Sequence, residues 1–264
     1  MVKRVLITGC SSGIGKALAG ELSRRGHQVI ATARDVASLA ELDVAQRLAL
    51  DVTSDASVGA VVAAAGEIDV LVNNAGTTVW SSVESPDQAD VQRLFETNVF
   101  GMLRMVRAFL PSMRERRRGE IVQISSAVAK RSTALLGHYA ATKAALDAYS
   151  EALRLEASPF GVKVCIVALG AVESKFGANR KEIIRPEYAE LVDRVKARLA
   201  RSRKAPWSAE SVASRIADAI DSGDLPLRLD GTGDAFRLFA ERAALSDEAW
   251  ERQTLAEIWT PEQA

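Results

Sequence analysis

The stretch Lys3–Gly26, KRVLITGCSSGIGKALAGELSRRG, leaves its chain few folds to choose from. KRVLIT is a short apolar, partly β-branched run that reads as a strand over Lys3–Thr8. In the following segment Leu18 and Leu22 recur at helical spacing, and Gly26 supplies a stop. Between strand and helix lies a loop with glycines at 9, 13 and 15. These permit a tight turn and let backbone approach a ligand, while the helix N-terminus offers N–H groups and a positive dipole end to a pyrophosphate. Gly9, Ser11, Ser12, Gly13, Ile14 and Gly15 are therefore candidate phosphate-cradling residues. The GxxxxGK[ST] type of loop is excluded, because Cys10 stands where its first glycine belongs and Ala17 follows Lys16.

The alternation continues along the chain. His27–Ala33 reads as a second strand, ending at Ala33 and Arg34; RLALDVT is strand-like to Leu50 and capped by Asp51, and a helix follows from about Ser54 to Ala65. Ile68–Asn73 is nearly all apolar, as a strand covered on both faces should be, and runs into Asn74, Ala75 and Gly76. Thr77–Ser85 reads as a loop carrying Trp80, and Gln88–Met113 as one helical tract containing Asn98, closed by a basic turn with Gly119 as cap. Further strands are expected at Glu120–Ile124, Lys163–Ala168 and 226–231, with helices around Tyr139, over Glu187–Ala200 and over Ser208–Asp221. A helix with Tyr188, Leu191, Val192, Val195 and Leu199 on one face sits in a long segment, 174–205, of the kind that forms lids. The tail with Trp250 and Trp259 is expected to pack back or to meet another subunit.

Bulk properties narrow the function. With 264 residues the chain suits one large α/β domain, and 34 basic against 34 acidic residues give no nucleic-acid footprint. The N-terminal apolar run is too short for a signal sequence, and no apolar stretch is long enough for a membrane span, so a soluble cytoplasmic protein is expected. Cys10 and Cys165 are read as reduced packing thiols, and no Cys/His cluster suggests a metal.

The chemistry concentrates in SAVAKRSTALLGHYAATK. Tyr139 and Lys143 lie four apart in an Ala/Leu/Glu-rich helix and share a face; Ser125–Ser126 put a hydroxyl at the carboxyl end of a strand, where open α/β sheets bind ligands. A phenol titrates near 10, but a neighbouring cation stabilises phenolate, and bringing it to neutrality takes only ~4 kcal/mol. Arg34 at the second strand's end, with no carboxylate at Ala33, suits a ribose 2′-phosphate and points to NADP(H).

Taken together, TGCSSGIG, the NNAG after the fourth strand, Asn98, Ser126 and YAATK resemble the short-chain dehydrogenase/reductase family, single-domain branch, from Val5 to about Ser174. The resemblance implies a doubly wound Rossmann fold, a seven-stranded parallel sheet of order 3-2-1-4-5-6-7 with helices on both faces. One domain would cover 1–264, with a substrate lid at about 174–205 and a C-terminal extension at about 232–264. It also implies a tetrad, Asn98, Ser126, Tyr139 and Lys143; Ser126 is preferred to Ser125 because the family's serine lies thirteen residues before the tyrosine. Within that tetrad Tyr139 would be general acid or base, Ser126 would donate to the substrate oxygen, Lys143 would lower the phenol's pKa, and Asn98 would hold a relay water. Asp51 and Val52 would meet adenine, and Asn74, Ala75 and Gly76 would border the adenosine and the nicotinamide side. Tyr139, Lys143, Gly170, Val172 and Ser174 would complete the cofactor contacts. Leu169–Gly170 and Ser174 depart from the family's Pro-Gly and threonine.

The implied reaction is interconversion of a secondary alcohol with a ketone or aldehyde by a homodimer or homotetramer. Val79, Trp80, Val128, Leu135, Leu136, Leu169 and Phe176 suggest a mostly apolar, lipid- or steroid-like substrate, while the basic excess between Lys175 and Lys204 suits a phosphorylated or CoA-linked one. A non-catalytic NADP(H)-binding sensor, or a dehydratase or epimerase of the same fold, are the rival readings.

Overall fold

The computed structural model describes residues 1–173, 181–202 and 206–259. Seven parallel strands form its main sheet: β1 (Arg4–Ile7), β2 (Gln28–Ala33), β3 (Gln46–Ala49), β4 (Val70–Asn73), β6 (Gly119–Ile124), β7 (Val162–Ala168) and β9 (Arg228–Asp230). They lie in the order β3-β2-β1-β4-β6-β7-β9, which, counted within this sheet, is the order expected. Sheet order reverses between β1 and β4, so the carboxyl ends of these strands open the crevice where such folds bind ligands.

Both faces are covered, which is why β4 is buried throughout. On one face α1 (Gly13–Arg24) and α7 (Ala209–Ser222) pack Leu18, Leu22, Ile216 and Ile220 on Val5, Val29 and Val167. The other face carries α2 (Asp55–Ala65), α4 (Gly101–Glu115) and α5 (Gly137–Ala157), with Met105, Phe109 and Met113 on Leu6, Leu71 and Ile121. Each such fully buried side chain contributes roughly 1.5–3 kcal/mol. Cys10 and Cys165 are buried free thiols in this core.

Several expectations need correction. Val79–Ser81, read as loop, is a strand, β5, pairing in parallel with β8 (Lys181–Ile183) in a separate two-stranded sheet. The helical tract expected over Gln88–Met113 is present and unbroken, but a π turn over Glu96–Phe100 separates α3 (Gln88–Phe95) from α4. Gly119 does not cap α4 but opens β6; Arg117, at φ 53°, makes the left-handed turn, and a side chain at Gly119 would strike Met113. The amphipathic helix α6 (Ala189–Ser202) begins two residues later than expected, after a short 3-10 turn at Pro186–Tyr188. It buries Val192 and Val195 with Trp80, Leu135 and Ile258, the last from α9 (Asp247–Trp259). The C-terminal tail thus packs back on its own chain, helped by Arg194 over the Trp259 ring.

Candidate active site

Strand β1 ends in a turn fixed by hydrogen bonds that the motif alone does not reveal. Thr8 Oγ1 accepts the N–H groups of Asn74 and Ala75, both at 2.9 Å, and Asn74 Nδ2 donates to the carbonyls of Thr8 and Gly9 at 2.9 and 3.0 Å. Gly9 adopts φ +75° with Ala75 Cα 2.9 Å from where its Cβ would stand. Any side chain there would be strained twice over. Ser12 is the N-cap of α1 yet makes no side-chain capping bond, so the helix's first N–H groups face the cleft with their dipole.

A cleft of about 1770 Å³ runs along the carboxyl ends of the strands. Every site residue expected from the sequence and described here borders it except Gly15 and Asn98. Gly15 lies behind, its Cα packed so closely on Gly9 and Asn74 that a Cβ has no room. Ser174 and Phe176 lie outside the described residues. Asp51, at the end of β3, accepts from the Thr53 N–H and hydroxyl at 2.9 and 2.7 Å; these bonds, with lesser attraction from Arg34 and Arg104, hold its carboxyl below the ordinary value.

At the centre, the end of β6 and one face of α5 are joined residue by residue. The side chain of Ser126 hydrogen-bonds the Tyr139 phenol, Ile124 O accepts from Lys143 Nζ at 2.8 Å, and the Ser125 hydroxyl donates to Asp147 Oδ1. Tyr139, Lys143 and Asp147 are successive turns of one helix face. The pairing separates the two serines: the Ser125 hydroxyl is buried against Asp147, while the less buried Ser126 meets the Tyr139 phenol. Lys143 Nζ lies 5.8 Å from the Tyr139 ring centroid.

Burial pushes the Tyr139 phenol above its ordinary value, and the Ser126 bond opposes that rise. The direction is opposite to that expected from the Tyr–Lys spacing. Lys143 is itself 3 % exposed, and burial pulls its ammonium down to about 8, the nearby Asp147 carboxylate working against the fall. A phenolate here would lose its hydration before it gained from the cation.

Asn98, fully buried in the π turn, does not aim its side chain at Lys143. Oδ1 accepts from Thr77 N–H and Nδ2 donates to Thr77 O and Thr142 Oγ1, so the amide is occupied in holding the loop after β4. Thr142 completes the chain by donating to Tyr139 O at 2.7 Å. Neither threonine stood out in the sequence, although Thr142 lies inside YAATK. The loop after β7 is held without the proline: Ala127 N–H donates to Leu169 O at 2.7 Å and Gly170 N–H to Thr232 Oγ1 at 2.8 Å.

Of the apolar residues expected around the tetrad, Val79, Val128, Leu136 and Leu169 line the cleft. Trp80 and Leu135 do not; they are buried beneath α6. Two contributors the sequence did not announce, Leu238 of α8 (Ala235–Ala243) and Trp250 of α9, form the outer wall.

A family model described as short chain dehydrogenase matches residues 3–184. The 3-ketodihydrosphingosine reductase of Bacteroides thetaiotaomicron is 40% identical over 180 residues, 67% of this chain and 66% of the relative. The NADPH-dependent 1-acyldihydroxyacetone phosphate reductase of Schizosaccharomyces pombe is 41% identical over 181 residues, 66% of this chain and 61% of the relative. The matched part of the chain thus spans 61–66% of these relatives' length. The crystal structure of a short-chain dehydrogenase from Streptomyces avermitilis is similar with a TM-score of 0.82 and 37% identity, over 97% of this chain and 96% of that one.

Proposed function

Because the chain belongs to the short-chain dehydrogenase family, we propose that it is an NADP(H)-dependent oxidoreductase that interconverts a secondary alcohol and the corresponding ketone. The observation that carries this reading is the hydrogen bond between Ser126 and Tyr139 at the cleft wall, with Lys143 one turn below. A nicotinamide cofactor in the cleft supplies or accepts the hydride. Tyr139 gives its proton to the substrate oxygen in reduction and takes it back in oxidation. Burial keeps the phenol protonated near neutrality, the state that reduction requires. Ser126 holds the same oxygen as charge develops on it, and Lys143 holds its positive charge beneath Tyr139.

The residues fit the cofactor. The close approach of Gly9 to Ala75 and the uncapped N-terminus of α1 suit a pyrophosphate, with Asp51 and Val52 on the adenine side. Ala33 is buried at the end of β2, whereas Arg34 is exposed on the cleft rim, where a guanidinium pairs with a 2′-phosphate. The yeast relative's name, an NADPH-dependent reductase, accords with that choice.

For the substrate we favour a mostly apolar molecule of lipid or steroid size. The wall is built from Val79, Val128, Leu136, Leu169, Leu238 and Trp250. Among the described residues of the substrate side, Arg131 and Arg237 pair with Glu241, Arg198 with Glu257, and Lys181 with Asp90. An anionic head would have to displace these carboxylates. The same reading takes 1–264 as one domain of a cytoplasmic homo-oligomer, its C-terminal extension walling the cleft; no helix among the described residues is long and apolar enough to cross a membrane.

Titration with both reduced cofactors, followed by turnover on a carbonyl panel, tests the proposal. NADPH is expected to bind about 10- to 150-fold more tightly than NADH, and Arg34→Ala to erase most of that margin. Equal affinities would overturn the cofactor assignment. Preference for phosphorylated carbonyls with steep salt dependence would overturn the substrate class.

A further inference from the structure

The geometry points to Asp147 and Arg228 as positioning residues that set how firmly Lys143 holds its positive charge beside Tyr139. Asp147 is one turn beyond Lys143 on α5 and only 1 % exposed, so its carboxylate acts on the ammonium with little water between to screen it. Its two oxygens are separately held. Oδ1 accepts from Ser125, the neighbour of Ser126, and Oδ2 accepts from Arg228 Nη1 at 2.7 Å. Arg228 comes from β9 at the far edge of the sheet and also pairs with Glu151, which faces Lys130 at 3.5 Å.

Lys143 thus has Tyr139 and Asp147 beside it on its own helix, and Asp147 is linked through Arg228 from β9 to Glu151, which in turn faces Lys130 from the turn after β6. Asp147 is the one that acts on Lys143 directly, opposing the effect of burial. Arg228 moderates it: by sharing the carboxylate's charge it limits how strongly Asp147 can hold the ammonium. Removing either member therefore moves Lys143 in opposite directions. Loss of the carboxylate makes the buried ammonium easier to deprotonate, and loss of the guanidinium makes it harder.

The consequence for catalysis rests on Tyr139 being the proton-transferring group, as proposed above. A Lys143 that loses its charge earlier leaves phenolate less stabilised, so alcohol oxidation needs a higher pH.

The test is NMR of protein labelled at lysine Cε, with the Lys143 signal assigned by Lys143→Met, in wild type, Asp147→Asn and Arg228→Gln. Asp147→Asn is expected to lower the Lys143 midpoint by about one pH unit and Arg228→Gln to raise it. The pH at which kcat/KM for alcohol oxidation rises is expected to move up in the first variant and down in the second. General damage to the site would not give shifts of opposite sign. Unchanged midpoints, or midpoints that move the same way in both variants, overturn the inference. Should Asp147→Asn fail to fold, Arg228→Gln decides alone, an upward shift supporting the inference and none refuting it. The NMR midpoints do not depend on turnover, so full activity in Tyr139→Phe would sink the reading of Tyr139 and leave this measurement standing.

Discussion

Asn98 and Thr77 clasp one another through two hydrogen bonds of 2.8 Å, Thr77 N–H to Asn98 Oδ1 and Asn98 Nδ2 to Thr77 O. A side-chain amide here does the work of a neighbouring strand, and the π turn that carries it brings Asn98 into place. The loop leaving β4 is thereby tied to α5 through Thr142.

Asn98→Ala is therefore expected to loosen this loop. Thr77 is exposed, so water can replace part of the clasp; the loss should be ~1–2 kcal/mol of stability, below the full cost of unpaired buried groups. Thermal unfolding and hydrogen exchange at Thr77 and Thr78 would check it, with faster exchange at Thr77 as the specific sign.

Gly15 separates packing from phosphate binding. A Cβ there would overlap Gly9 O and Asn74 Nδ2, so Gly15→Ala is expected to destabilise by ~1–3 kcal/mol and to weaken cofactor binding by displacing the turn. Gly20, on the same helix, has nothing within 4 Å of its would-be Cβ, and Gly20→Ala is expected to stabilise by ~0.5–1 kcal/mol. Melting curves and cofactor titrations of the pair provide the comparison.

Lys143 gives a pH signature in stability. Its folded-state value, about 8, lies below the ordinary 10.5 of the unfolded chain, so between those values the unfolded state binds more protons and stability contributed by this group rises with pH. Burying the ammonium costs stability at pH 7, a cost removed as pH climbs from about 8 towards 10.5, over a span worth roughly 3 kcal/mol. Comparing Lys143→Met with wild type by denaturant unfolding at pH 7 and pH 10 tests this. Wild type should gain on the variant at the higher pH.

What could be read from the sequence was local. Strands of β-branched residues, the glycine turn and the Tyr139–Lys143 spacing carry their signal within a few residues, and the main sheet and the cleft follow from them. What escaped was set by partners distant in sequence. β5 is three residues long and becomes a strand only by pairing with β8, about a hundred positions on. Asp147 and Arg228 are 81 apart and look like surface charges until the fold joins them. The expected net lowering of the Tyr139 phenol erred for a related reason: spacing shows that a cation is near, but burial outweighs it in the cost of ionisation.

Tyr139 is the group on which the proposed proton transfer depends, and turnover by Tyr139→Phe tests that role most directly. With a carbonyl that wild type reduces, the variant is expected to bind cofactor and melt as wild type does while kcat/KM falls by roughly 10²–10⁴. A Phe variant that turns over the same substrate at near the wild-type rate would contradict it.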